Sequence, residues 1–234
     1  MTIIRTRSLS VTAAIACLLA LSAPANAALF TVICQDLACS GTPIVVDDNT
    51  ARDTNPSVGV MNVTVAAFGY TLGITTQSNH VLGSAPQLDL TFTATTGSAV
   101  PASIFLIAGD GDWRFGGGSY LLTLGGTNSG DSGTETGRAE VGLALHPFEL
   151  IGTVGPLSGA AFSGSSTGGF TPNPTFFPYA LQIGTAITRS AAGTTTGDLN
   201  LQISAIPEPE SYAMMLAGLG VMGFVARRRK RNTA

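Results

Sequence analysis

The sequence predicts an all-β fold: an antiparallel β-sandwich or jelly-roll-like body, flanked by an N-terminal signal peptide and a single C-terminal transmembrane helix. Three observations carry that expectation. Several stretches alternate apolar and polar residues with period two, the pattern of half-buried strands. Gly-rich clusters separate them, and the body shows no long apolar period of 3.6 residues. Both termini differ from the body in composition. The 234 residues then divide into 1–27, 28–205 and 206–231. A body of about 180 residues is one domain's worth and long enough to bury its own core.

The N-terminal part has the three pieces of a secretory signal. Arg5 and Arg7 are basic, Val11 to Leu21 is apolar, and Ala25-Asn26-Ala27 supplies the small residues of a cleavage site. Cleavage after Ala27 leaves Ala28 first, and 11 apolar residues are too few to span a bilayer.

Within the body, Leu88, Leu90, Phe92 and Ala94 face one way while Asp89, Thr91, Thr93 and Thr95 face the other. Leu199, Leu201 and Ile203 alternate in the same manner with Asn200, Gln202 and Ser204. Further strands are expected over Leu29–Ile33, Val58–Leu72, Ser103–Ala108, Tyr120–Leu124, Ala139–Leu145 and Tyr179–Ile187. Gly116–Gly118, Gly125–Gly137 and Gly155–Asn173 read as turn clusters. Alternation favours an antiparallel arrangement, because parallel strands buried on both faces read as continuous apolar runs.

The C-terminal part reads Pro207-Glu208-Pro209, then Ser211 to Ala226 without a charge, then Arg227-Arg228-Arg229-Lys230-Arg231. Sixteen residues reach about 24 Å as a helix, against about 30 Å of hydrocarbon. Proline is tolerated at a helix start, and basic side chains extend the span by snorkelling. A signal peptide that sends the body outward and a basic tail that belongs on the cytoplasmic side give the same orientation.

Charge divides as sharply as composition. The net charge of −3 hides a body with four arginines, no lysine and twelve acids, a balance of −8. Such a body is repelled by phosphate backbones, so no nucleic-acid partner is expected.

Candidate chemistry is sparse. Cys34 and Cys39 are the cysteines left after signal cleavage, and in an exported body they are read as a disulfide. Asp110 and Asp112 in Asp110-Gly111-Asp112-Trp113 are candidate calcium ligands, with Trp113 as a sugar-stacking face. The competing reading is an Asp-Gly turn with Trp113 in the core. His80 and His146 have no zinc-ligand spacing around them, and the Gly/Ser run Phe162–Ser166 reads as a loop without the partners of a serine nucleophile. No catalytic residues are therefore assigned, and neither an enzyme nor a resident cofactor is expected. The row Thr91, Thr93, Thr95 suits ice binding only superficially, since one short row makes no flat matching surface.

The Pro-Glu-Pro motif, the Gly-rich apolar segment and the Arg-rich end together resemble the PEP-CTERM sorting signal of Gram-negative bacteria, also labelled the ice-binding protein C-terminal domain. The resemblance covers about 25 residues, Ile206 to Arg231. It implies export across the inner membrane and a tethered precursor cut near the motif by an exosortase, a membrane-embedded thiol protease. It also implies a cargo delivered to the cell surface, exopolysaccharide or biofilm. The stretch from Pro178 to Leu201 is similar to strands that precede this signal and close a β-sandwich. The expectation is thus a non-catalytic surface or matrix protein, processed by signal peptidase and an exosortase. A calcium-assisted carbohydrate-binding module is the alternative, and a secreted hydrolase or ice-binding protein the lesser one.

Overall fold

The computed structural model describes residues 29–36, 39, 41–79, 86–97, 102–113, 117–130, 134–142, 149–171, 179–205, 215–219 and 222. The expected signal peptide at 1–27, His80, His146, Pro207-Glu208-Pro209 and the basic tail Arg227–Arg231 lie outside these residues.

Twelve strands run in order: β1 (Phe30–Cys34), β2 (Ile44–Asp47), β3 (Val60–Ala67), β4 (Tyr70–Ser78), β5 (Gln87–Thr96), β6 (Ala102–Trp113), β7 (Gly118–Gly130), β8 (Thr134–Gly142), β9 (Glu149–Ser158), β10 (Ala161–Phe170), β11 (Tyr179–Arg189) and β12 (Gly193–Ala205). They form two six-stranded antiparallel sheets, ordered β2-β1-β6-β11-β8-β9 and β10-β7-β12-β5-β4-β3. The expected all-β, sandwich-like body is what the chain adopts. β11 lies between β6 and β8, and β12 lies between β5 and β7. The last two strands therefore complete the middle of both sheets.

The inner faces share one core. Leu72, Leu88, Leu90, Leu122, Leu199 and Leu201 from one sheet meet Ile33, Leu106, Leu181, Ile183 and Ile187 from the other. Burying this apolar area is the main stabilising term. Two polar bridges cross the same gap. Thr31 and Thr76 share a hydrogen bond at 2.7 Å. Buried Arg189 on β11 donates to Thr195 Oγ1 on β12 and to the Ser129 carbonyl on β7, both at 2.9 Å.

Four sequence expectations need correction. Val58–Leu72 is a hairpin rather than one strand: Phe68 (φ 51°) and Gly69 (φ 83°) make a two-residue turn with both residues left-handed. The Gly125–Gly137 cluster is largely strand, because β7 continues to Gly130 and β8 starts at Thr134. The Gly155–Asn173 cluster likewise contains the end of β9, from Gly155 to Ser158, and all of β10. Finally, Asp110-Gly111-Asp112-Trp113 is the end of strand β6, with Trp113 opposite Tyr179, and is no turn.

The short helical stretch at residues 215–219 and 222 falls inside the segment expected to cross the membrane, and Met215, Leu216, Leu219 and Met222 are exposed on it. Among the described residues no helix is long and apolar enough to span a bilayer.

Candidate functional site

The outer face of the β10-β7-β12-β5-β4-β3 sheet brings polar side chains into register across strands. Pleating sends every second residue outward, so each strand contributes alternate positions. One row runs Ala66, Thr71, Thr95, Thr194, Ser129. The next runs Thr64, Gly73, Thr93, Thr196, Thr127. A third runs Asn62, Thr75, Thr91, Asp198, Gly125, and a fourth Val60, Gln77, Asp89, Asn200, Thr123. Neighbours in a row sit about 4.8 Å apart and successive rows about 6.8 Å apart.

Hydrogen bonds tie the rows laterally. Thr95 and Thr194 hydroxyls meet at 2.9 Å, and Thr127 and Thr196 at 2.8 Å. Thr75 donates to Asn62 Oδ1 at 3.0 Å. Thr91 donates to Asp198 Oδ2 at 2.9 Å, and Asn200 donates to Asp89 Oδ2 at 3.2 Å. Asp89 and Asp198 are the carboxylates of these four rows. Burial, and then the charge of Asp198, push the Asp89 carboxyl above the ordinary carboxylate value.

Over β3, β4 and β5 this face hollows into an open groove of about 430 Å³. Its walls are Thr54, Asn62, Thr64, Thr75, Thr91 and Thr93, with Gly73 between them. The wall at Thr54 belongs to the loop after β2, which is pinned along the edge of β3. The Asp53 carboxylate accepts from the backbone N–H groups of Asn49, Asn55 and Asn62 at 2.9–3.0 Å. The Thr54 N–H donates to the Asn62 carbonyl at 3.0 Å. Burial alone would raise the Asp53 carboxyl, but those three donors outweigh it and hold the group below its ordinary value. Burial, partly offset by the Gly59 N–H, leaves neighbouring Asp48 raised.

The residues singled out from sequence are distributed differently. Cys34 and Cys39 form the expected disulfide, with Cα atoms 5.0 Å apart. Asp110 is fully buried and accepts a hydrogen bond from Ser78. Trp113 is 4% exposed and packs in the core, which settles its two readings against a sugar-stacking face. The side chain of Asp112 lies outside the described residues. Gly164-Ser165-Ser166-Thr167-Gly168 does carry a Gly-x-Ser-x-Gly spacing, which the loop reading overlooks. Ser166 nevertheless sits inside β10 opposite Leu122, 3.5 Å from the Tyr120 hydroxyl, and a nucleophile elbow requires a strand-to-helix turn. Among the described residues no three His, Cys, Asp or Glu side chains converge as metal ligands.

The sequence shows the polar rows only in part. The alternation of β5 announces Thr91, Thr93 and Thr95, whereas their neighbours on β4, β12 and β7 depend on register.

Comparison with curated proteins gives no match. Among solved structures, the chain is similar to the enzymatically active domain of bacteriophage CBA120 tailspike protein 4, at 12% identity and TM-score 0.35. That likeness covers 68% of this chain and 21% of the tailspike chain, so this protein spans about a fifth of its length. A family 11 carbohydrate-binding module from Clostridium thermocellum, solved with a β-1,3-1,4-mixed-linked tetrasaccharide, is similar at 10% identity and TM-score 0.23. It covers 67% of this chain and 95% of the module. At the C-terminus the family model agrees with the residues themselves: positions 205–230 match the PEP-CTERM protein-sorting motif.

Proposed function

We propose that this chain is a non-catalytic surface or extracellular-matrix protein, whose β-sandwich is the delivered cargo and whose C-terminus is a temporary tether. The observation that carries the reading is the sorting motif at 205–230, standing directly after the last strand of the body. Signal peptidase removes residues 1–27, and an exosortase acts near Pro207-Glu208-Pro209. Residues 211–226 hold the precursor in the inner membrane until then, with Arg227, Arg228, Arg229, Lys230 and Arg231 inside. The acidic, lysine-free body stays in the exopolysaccharide layer or biofilm outside. A resident cofactor is not needed for that role. Burial of Asp110 and Trp113 removes the surface on which a calcium-assisted sugar site at that position would depend.

Intact-mass measurement of the protein recovered from envelope and medium tests the proposal. The expected species starts at Ala28 and ends near Pro207. Replacement of Pro207, Glu208 and Pro209 by alanine should leave the C-terminal cut undone and the chain in the inner membrane. A wild-type chain that keeps its basic tail, in cells that process other cargo of this kind, would sink the reading.

A further inference from the structure

We infer that the groove over β3, β4 and β5 binds a segment of neutral polysaccharide. This rests on the proposed delivery to the exopolysaccharide layer and names the site and ligand class.

Three observations converge there. First, apart from Gly73 and the buried core residues Val63, Ile74 and Phe92, the lining is hydroxyl and amide: Thr54, Asn62, Thr64, Thr75, Thr91 and Thr93. Each of these groups both donates and accepts hydrogen bonds, as sugar hydroxyls do. Second, the surrounding rows hold two carboxylates and no base, and those carboxylates already accept from Thr91 and Asn200, so most of the side chains left to meet a ligand are polar and uncharged. Third, the floor is glycine where a strand favours a branched side chain. A Cβ on Gly73 would meet nothing within 4 Å, and its backbone is not left-handed. Neither crowding nor conformation calls for glycine at 73, and its effect is to keep the groove open.

Charge selects the ligand. The body balance of −8 opposes an anionic polymer such as a uronan. A cationic ligand finds no carboxylate in the lining; of those beside it, Asp53 already accepts three backbone donors, and Asp198 and Asp89 accept from Thr91 and Asn200. A neutral chain of hydroxyl-rich rings fits both constraints.

The test is affinity electrophoresis of the full-length chain in mild detergent, through gels holding hydroxyethyl cellulose, dextran, neutral mannan or alginate. At least one neutral polymer should retard the wild type, and alginate should not. Gly73→Val plugs the groove without strain and should weaken retardation roughly tenfold or more. Gly97→Val, equally free of neighbours within 4 Å but outside the groove, is the matched control and should bind as the wild type. Thr93→Val, an isosteric loss of one hydroxyl, should weaken binding several-fold. Retardation unchanged by Gly73→Val, no retardation by any neutral polymer, or retardation by alginate as strong as by the neutral gels would each overturn the inference. A chain that is cut and exported correctly yet binds none of the polymers defeats this inference alone. A chain that binds but keeps both termini defeats the proposed route instead.

Discussion

The ring of Phe92 lies over the backbone of Gly197, its directly opposed partner on β12. A Cβ at position 197 would stand 2.5 Å from Cζ of that ring and 3.1 Å from the Gly125 carbonyl oxygen. The same arrangement recurs through the sandwich. Phe162 covers its opposed partner Gly126, and Tyr120 covers Gly168 on the adjacent strand and Gly152 across the core. An aromatic ring on one strand thus fills the space that a second side chain would occupy on the next.

Gly197→Ala should therefore destabilise the fold by about 1–3 kcal/mol, the usual cost of forcing extra volume into a packed core. Urea denaturation gives the value. Phe92→Leu costs stability alone, yet in the Gly197→Ala background it should recover part of the loss, because the clashing ring is gone. Strictly additive effects would show that the two residues do not interact.

This pairing also explains what could be read in the sequence and what could not. In β5 the inward positions are Leu88, Leu90, Phe92 and Ala94, so alternation is visible within the strand. In β10 they are Phe162, Gly164, Ser166, Gly168 and Phe170, and much of the apolar surface over them comes from other strands. A reading confined to one segment takes those glycines for turns. Register poses the same problem for the polar face: Thr91, Thr93 and Thr95 are evident, but Thr71, Thr194 and Thr127 join them only once the strands are aligned. Trp113 was undecided by sequence because core and surface tryptophans look alike without neighbours.

Asp89 gives a pH signature. Its carboxyl is raised by burial and then by Asp198, so the folded chain holds the proton to higher pH than the unfolded chain. Between the ordinary value of 3.8 and the raised one, the native state binds more protons, and stability falls as pH rises through that window. Asp89→Asn should remove this slope and raise the melting temperature at neutral pH. Melting curves across the acid range decide it; a variant less stable than wild type at neutral pH would refute the assignment.

Asp53 titrates with the opposite sign. Its three backbone donors overcome the effect of burial and keep the folded carboxyl below 3.8. The stability it contributes is present above 3.8 and lost as pH falls through the lower folded value. Asp53→Ala should cost about 1–3 kcal/mol at neutral pH and loosen the loop that walls the groove. Faster amide exchange at Asn55 and Asn62 reports the loosening, and unchanged protection at both would count against the pinning.

Arg189 is 1% exposed and joins the two sheets through Thr195, Asn128 and the Ser129 carbonyl. Lysine keeps the charge but cannot reproduce the planar set of donors. Arg189→Lys should therefore lose about 1–3 kcal/mol, with the buried Asn128 acceptor and the part-buried Ser129 carbonyl left short of a donor. Equal stability of the two proteins in urea would mean that the guanidinium geometry is unimportant.

The disulfide closes a short loop, since Cys34 and Cys39 are five residues apart, and it joins the end of β1 to a residue held at φ 48°. Loop-closure entropy for so short a ring is worth about 2 kcal/mol. The double replacement Cys34→Ala, Cys39→Ala should lower stability by about that amount. Treating the wild type with reductant should shift its urea midpoint in the same direction and leave the double variant unmoved. A wild-type midpoint indifferent to reductant would show that the bridge contributes nothing to the folded state. The strand order itself should survive in either case, because β1 is held independently by β2 on one side and β6 on the other.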